Sequence, residues 1–122
     1  MMGKLYVVGI GPGGLEHMTI KAKEAILNAD IIVGYTKYIE MVRDLIGDKE
    51  IYQTGMRGEV ERCKRALELS REKDVCLIST GDAGIYGMAG LILELKTDEE
   101  VVIIPGLTAS SAAGSVVGAP LM

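Results

Sequence analysis

The chain has 122 residues, of which 48% are apolar and 25% are charged, and its formal net charge is −4 at pH 7. This length and composition indicate one folded domain, residues 1–122, with a buried core, and exclude a disordered chain. The acidic balance provides no net attraction to nucleic acid or anionic lipid, so we expect neither as a partner.

Apolar residues recur with the spacing of strands and helices in turn along the chain. The predicted strands are 4–10, 31–35, 49–53, 75–79 and 101–104, and the predicted helices are 18–29, 37–46, 59–73, 85–95 and 109–117. Thr19 is the expected N-cap of the first helix. Continuous apolar strands that alternate with helices predict an α/β fold: a parallel, doubly wound, five-stranded sheet with helices on both faces.

Three glycine-rich loops follow predicted strands. GIGPGG follows the first strand, STGDAGIYG the fourth and PGLTASS the fifth. Ligands of doubly wound sheets bind beyond the carboxyl ends of the strands, and a backbone without Cβ atoms approaches a ligand closely. One small-molecule site built from these loops is therefore expected.

From Gly9 onward, GIGPGG also matches G-x-G-x-x-G, the fingerprint of dinucleotide-binding domains. That fingerprint requires a helix directly after the glycines and an acidic residue at the end of the second strand. Here the helix is expected only after Thr19, and the second strand ends in Gly34 and Tyr35, with Asp30 before it. An NAD site is therefore the minority interpretation.

The two cysteines, Cys63 and Cys76, lie in apolar patterns without a Cys-x-x-Cys pair, as is typical of buried residues in a reducing cytoplasm. His17 is the single histidine, and we predict no metal site. The N-terminus lacks the pattern of a signal peptide, so we expect a cytoplasmic location.

Residues 101–122 carry no charge and are long enough to span a bilayer. Pro105 and Gly106 interrupt this stretch after four strand-like residues, and small residues fill much of the rest. This pattern favours a buried strand, a turn and a helix, with a membrane span as the minor alternative.

Four motifs in order resemble the tetrapyrrole methylases, which use S-adenosylmethionine to methylate precorrins on the way to cobalamin. These motifs are VVGIGPGG, ADIIVGY, STGDAGIYGMA and PGLTASSAA. GYTKY, GMRGEVERCKRALEL and GDAGIYGMA look most like the branch that methylates carbon 17 of precorrin-3B, or of its cobalt form, with ring contraction. The alternatives are a sister activity such as diphthine synthase, and a noncatalytic or NAD-binding α/β domain.

The resemblance implies a homodimeric two-domain enzyme that holds S-adenosylmethionine in the cleft between its domains. This chain looks like the N-terminal domain, with the C-terminal domain absent. The uncharged residues 101–122 suit a segment that another part of the protein covers.

The resemblance also implies which residues contact the cofactor and the tetrapyrrole. The cofactor contacts are Pro12 in the first loop, Thr80, Gly81, Asp82 and Ile85 in the second, and Thr108 and Ala109 in the third. Asp82 would balance the sulfonium or ammonium charge or cap the following helix, and Ala83 stands where the family usually has proline.

Two further residues are candidates for work on the substrate. Tyr35 stands where relatives that methylate uroporphyrinogen have an aspartate taken as a proton acceptor, so Tyr35 is the catalytic candidate. Arg57, in the GMRGE loop, is the candidate for binding substrate carboxylates, because a guanidinium fork matches a carboxylate. We expect Arg62, Lys64 and Arg65 on the solvated face of the helix at 59–73.

Overall fold

The computed structural model describes residues 3–11, 18–80 and 82–106, without the side chains of residues 82 and 83. The strands are β1 Lys4–Ile10, β2 Ile31–Tyr35, β3 Glu50–Thr54, β4 Val75–Thr80 and β5 Glu100–Ile104. These five parallel strands form one sheet in the order β3-β2-β4-β1-β5. The helices are α1 Ile20–Asn28, α2 Thr36–Met41, α3 Arg43–Ile46, α4 Glu59–Leu69 and α5 Asp82–Leu95. The predicted parallel α/β sheet is confirmed.

Helices cover both faces of the sheet, which is why the inner strands β1, β2 and β4 consist mostly of buried apolar residues, whereas the edge strand β3 (EIYQT) is more polar. In β1, Val8 and Ile10 point to the face covered by α1, α2 and α3, whereas Leu5 and Val7 point to the face covered by α4 and α5. All four side chains are buried. Two apolar clusters, one on each face, therefore pack against β1, which lies between β4 and β5 in the sheet.

The helix predicted at residues 37–46 is two short helices. Val42 leaves helical geometry, with φ −121° and ψ 21°, and its N–H donates to the carbonyl of Ile39. The break lets Ile39, Val42 and Ile46 all bury their side chains against α1 and the sheet. Gly47, with φ 63°, then ends the second helix in a conformation that glycine adopts without strain.

Other helix boundaries also differ from the predictions. The helix α4 ends at Leu69, four residues before the predicted end, because the chain turns at the buried Ser70, whose carbonyl accepts a hydrogen bond from the N–H of Gly3. The helix α5 starts at Asp82, before the predicted start at Ile85. The N-cap prediction is confirmed, since the Thr19 hydroxyl accepts a hydrogen bond from the N–H of Ala22 at 3.0 Å. The helix predicted at 109–117 lies outside the described residues.

Both cysteines are buried, as the sequence indicates. Burial raises the pKa of the Cys63 thiol to about 11 and also raises that of Cys76. Within residues 3–11, 18–80 and 82–106, we find no helix with the length and apolar character needed to cross a membrane.

Candidate functional site

Because all five strands are parallel, their carboxyl ends meet at one edge of the sheet. The last residues of the strands are Ile10, Tyr35, Thr54, Thr80 and Ile104. Ile10 pairs with Thr80, Tyr35 pairs with Thr54, and Val8 pairs with Ile104. The three glycine-rich loops therefore leave the sheet at the same edge, where ligands of such folds bind.

The backbones of the first and third loops touch at this edge. A Cβ atom on Gly9 would lie 2.7 Å from the nitrogen of Gly106, and a Cβ atom on Gly106 would lie 3.1 Å from the carbonyl oxygen of Gly9. A side chain on Gly9 would push the end of β1 and the segment after β5 apart, and a side chain on Gly106 would fit only tightly. Glycine at both positions leaves a surface of main-chain atoms between β1 and β5, which suits a polar ligand that is bound through backbone groups.

The first turn of α5 packs against the ends of β1 and β4 next to this surface. The side chain of Ile85 is fully buried, and its Cδ1 would lie 3.0 Å from a Cβ atom on Gly9. Gly84 packs closely on the end of β4, since a Cβ atom there would lie 3.1 Å from the Ser79 hydroxyl oxygen. The N-terminus of α5 thus follows directly after β4 at the carboxyl edge, and a helix N-terminus favours negative charge.

The predicted cofactor contacts are only partly within the described residues. Thr80 ends β4 and is half-buried, and Ile85 is the fully buried residue just described. Asp82 is the first residue of α5, but its side chain is not described. Pro12, Gly81, Thr108 and Ala109 lie outside the described residues. Contact of these residues with a cofactor stays a prediction.

Tyr35 lies at the same edge, at the junction of β2 and α2. Its ring packs edge-to-face against that of Tyr38, with centroids 5.0 Å apart and an interplanar angle of 85°. Tyr35 as a whole is half-buried. The next residue, Thr36, donates a hydrogen bond from its hydroxyl to the carbonyl of Thr54 at 3.2 Å. This bond ties the end of β2 to the loop that follows β3.

The loop between β3 and α4, residues 55–58, contains Arg57. Arg57 is exposed, and the neighbouring side chain of Met56 is 71% exposed. The expectation for Arg62 is wrong: this side chain is only 4% exposed and reaches back under the loop. Residues four apart lie on the same face of a helix, so the spacing between Arg62 and the apolar Ala66 is the feature of the sequence that indicates a buried position for Arg62.

The dinucleotide interpretation does not fit this geometry. The helix α1 begins only at Ile20, well after Gly14, and β2 ends in Tyr35 without an acidic residue. The Asp30 carboxylate accepts a hydrogen bond from the N–H of Asp74 at the opposite, amino edge of the sheet, which is the wrong end for contact with a ribose. Among the described residues, no cluster of three or more His, Cys, Asp or Glu side chains is placed to hold a metal ion.

A parallel α/β sheet with helices on both faces defines the doubly wound class, in which ligands bind at the carboxyl edge of the strands. The family model of the tetrapyrrole (corrin/porphyrin) methylases matches residues 4–122. The chain belongs to this family.

Curated relatives and a solved structure agree with this assignment. The chain is 55% identical to a probable cobalt-factor III C(17)-methyltransferase from Salmonella typhimurium, over 97% of this chain and 51% of that protein. It is 36% identical to a precorrin-3B C(17)-methyltransferase from Sinorhizobium sp, over 99% of this chain and 50% of that protein. The crystal structure of the methyltransferase CobJ matches with a TM-score of 0.72 and 32% identity, over 98% of this chain and 52% of that chain. The chain thus spans about half the length of these proteins.

Proposed function

We propose that this chain is the cofactor-binding half of an S-adenosylmethionine-dependent C-methyltransferase. The proposed reaction is methylation of carbon 17 of a precorrin-3B-type tetrapyrrole, with ring contraction, in cobalamin biosynthesis. The observation that carries the proposal is the backbone contact between Gly9 and Gly106, because it joins two of the family's loops into one surface at the carboxyl edge. The relatives named for C(17) methylation support the choice of carbon.

The proposed cofactor site is the surface between β1, β4 and β5. When bound, S-adenosylmethionine supplies a methyl group on a cationic sulfur. Thr80 would offer its hydroxyl at the end of β4, and main-chain groups near Gly9 and Gly106 would bind the polar parts of the cofactor. The buried side chain of Ile85 would contribute by packing against the Gly9 backbone on the side away from the cofactor. The remaining proposed contacts are Pro12, Gly81, Asp82, Thr108 and Ala109.

The proposed tetrapyrrole site is the neighbouring part of the edge, at the ends of β2 and β3. A precorrin combines an apolar ring system with many peripheral carboxylates, and the loop at 55–58 presents an exposed Met56 beside an exposed Arg57. The guanidinium of Arg57 would bind a carboxylate, and Met56 would contact the ring. Tyr35, half-buried at the end of β2, would donate a hydrogen bond from its phenol O–H to the macrocycle, or would take part in a proton transfer as a relay that donates one proton as it receives another.

This division of the edge suits methyl transfer from a sulfonium to carbon. The step is an in-line displacement, and holding the two reactants in line contributes much of its acceleration. The residues at 55–58 and Tyr35 would orient the tetrapyrrole, and the backbone surface at β1 and β5 would orient the methyl donor. A second domain would close over the edge and exclude water.

The wider setting is also part of the proposal. Because the chain spans about half of the relatives named above, we propose that a C-terminal domain completes the cleft and that the complete enzyme is a homodimer in the cytoplasm. A homodimer is the commonest closed assembly of soluble enzymes.

Calorimetric titration tests the cofactor proposal. The protein is the longest natural chain that contains residues 1–122, and it is titrated with S-adenosylhomocysteine and, in parallel, with NADH. We expect binding of S-adenosylhomocysteine, weakened by Asp82→Ala. Tight binding of NADH alone would overturn the proposal.

A methyl-acceptor assay tests the substrate. Radiolabelled S-adenosylmethionine is offered with a precorrin-3B-type tetrapyrrole in one arm and with a translation factor in the other. Label in the tetrapyrrole supports C-methylation, whereas label in the protein alone would favour the diphthine synthase type of activity.

A further inference from the structure

Arg62 is a buried cation whose charge has no carboxylate partner among the described residues. Its side chain is 4% exposed, and the ion pairs formed by the described part of the chain do not include it. Its Nε is fully buried and has no hydrogen-bond partner within the described part of the chain. A buried guanidinium in this state is costly, and an apolar side chain of similar volume usually stabilises such a position equally well or better. Packing of α4 therefore does not explain an arginine here.

Within the described residues, the hydrogen bonds of the Arg62 side chain go to the end of β3 and to the start of the loop that carries Arg57. Its Nη1 donates to the Thr54 hydroxyl oxygen at 2.7 Å and to the Gly55 carbonyl at 2.9 Å. The Thr54 hydroxyl itself donates to the Gly55 carbonyl at 3.0 Å. One guanidinium nitrogen thus holds the point at which the chain leaves β3 and enters the loop.

The loop is closed tightly around this point. The N–H of Gly58 donates to the Gly55 carbonyl at 3.2 Å, and the N–H of Arg62 donates to the Gly58 carbonyl at 2.8 Å. A Cβ atom on Gly58 would lie 2.6 Å from the Thr54 hydroxyl oxygen. Both ends of the loop therefore pack on the Thr54 and Arg62 side chains, while Met56 and Arg57 remain at its exposed tip.

We infer that Arg62 is a positioning residue, which fixes the loop at 55–58 so that Arg57 faces a carboxylate of the tetrapyrrole. The inference rests on the proposed function for the identity of the ligand, and on the contacts above for the loop. The carbonyl of Thr54 also accepts the hydrogen bond from Thr36, so the same anchor aligns the loop with the end of β2, next to Tyr35.

The experiment compares Arg62→Met and Arg62→Lys with wild type in the longest natural chain that contains residues 1–122. The control is Arg65→Met, on the same helix, whose side chain is 50% exposed and pairs with Glu68. We measure KM for the tetrapyrrole and for S-adenosylmethionine, and hydrogen exchange of the amides at 55–58. The expected result for Arg62→Met is a rise in tetrapyrrole KM of about tenfold or more, because a displaced binding group loses its alignment. The KM of S-adenosylmethionine stays unchanged, the loop amides exchange faster, and Arg65→Met matches wild type.

A double variant separates positioning from a merely structural role. If Arg62 acts through Arg57, Arg62→Met raises the tetrapyrrole KM no further in an Arg57→Met background. Additive effects, or an unchanged KM together with unchanged exchange at 55–58, would overturn the inference. Arg62→Lys keeps a donor for Thr54 but on a shorter head group that is not planar, so it should show the same changes in KM and in exchange at a smaller size. If Arg62→Met does not fold, these smaller changes in Arg62→Lys support the inference, and their absence overturns it.

Failure of the proposed function has a different signature. A wild-type enzyme that transfers no methyl group to the tetrapyrrole contradicts the function, whatever Arg62 does. Hydrogen exchange then tests by itself whether Arg62 fixes the loop. Faster exchange of the amides at 55–58 in the Arg62 variants supports this role, and unchanged exchange overturns it.

Discussion

The backbones of Gly9 and Gly106, 97 residues apart in the chain, lie so close that a Cβ atom on Gly9 would clash with the Gly106 nitrogen and a Cβ atom on Gly106 would make a tight contact with the Gly9 carbonyl. Gly9 is inside β1, and Gly106 follows β5 by two residues. Their contact explains why a glycine at the first position of GIGPGG is needed in a chain that lacks the other features of a dinucleotide site. Glycine serves here to bring two loops together.

Replacement of Gly9 by alanine should destabilise the protein. The added Cβ would meet the backbone nitrogen of Gly106 at 2.7 Å, and backbone cannot move aside as a flexible side chain can. We expect a loss of about 1–3 kcal/mol in the free energy of unfolding, measured by urea denaturation, together with weaker binding of S-adenosylhomocysteine.

Gly90→Ala is the matched control for this substitution. Gly90 lies in α5 with no described atom within 4 Å of an added Cβ, so alanine there should stabilise the helix by about 0.5–1 kcal/mol. Equal effects of the two substitutions would contradict the contact between the loops.

Thr19→Ala should remove the N-cap of α1. The Thr19 hydroxyl accepts the hydrogen bond from Ala22, and its loss leaves that N–H without its partner. We expect about 1 kcal/mol lower stability by urea denaturation. Thr19→Ser keeps the hydroxyl and should stay close to wild type; a loss as large as that of Thr19→Ala would show that the methyl group, and not the cap, is responsible.

Glu99 should make stability depend on pH in the acid range. Burial alone would raise the pKa of this carboxyl, which is 3% exposed. Hydrogen bonds from the backbone N–H groups of Thr97 and of Glu99 itself, and from Arg71, outweigh that effect and hold the pKa below its ordinary value of 4.5. The carboxylate therefore stabilises the fold fully above about pH 4.5, and this contribution is lost as the pH falls through the lower pKa of the folded state.

The variant Glu99→Gln tests this dependence. We expect about 1–3 kcal/mol lower stability at pH 7, since hydrogen bonds to a charged group are lost, and a smaller difference from wild type as the pH falls below 4.5. Glu100→Gln is the control, because the Glu100 carboxylate is 62% exposed and lies 3.6 Å from Lys4, so its loss should change little. A difference between Glu99→Gln and wild type that does not vary with pH would refute the assignment.

Tyr35→Phe should separate the packing of this ring from the chemistry of its hydroxyl. Phenylalanine keeps the edge-to-face contact with Tyr38, so the melting temperature should stay the same as that of wild type. Under the proposed function, we expect kcat for methyl transfer to fall by about a hundredfold or more. Tyr38→Phe, at the other ring of the same pair, should leave kcat unchanged. Wild-type kcat in Tyr35→Phe would reduce Tyr35 to a packing residue.

Local patterns in the chain were sufficient for the strands and for the class of fold. The limits of β1 and β2 agree with the apolar runs at 4–10 and 31–35, because a strand buried on both faces needs apolar residues at every position. The N-cap at Thr19 was also predictable, because it depends on an N–H only three residues away. The parallel direction of the strands in turn predicted that the loops after them meet at one edge of the sheet.

Tertiary contacts decided what these patterns could not. The strand order β3-β2-β4-β1-β5 and the meeting of Gly9 with Gly106 depend on residues far apart in sequence. Arg62 has the charge pattern of a surface residue, yet its side chain is buried because Thr54, at the end of β3, and Gly55, in the loop that follows, offer acceptors for its guanidinium. Periodicity reports which face of a helix is apolar, whereas burial of a polar group depends on partners that only the folded chain brings within reach.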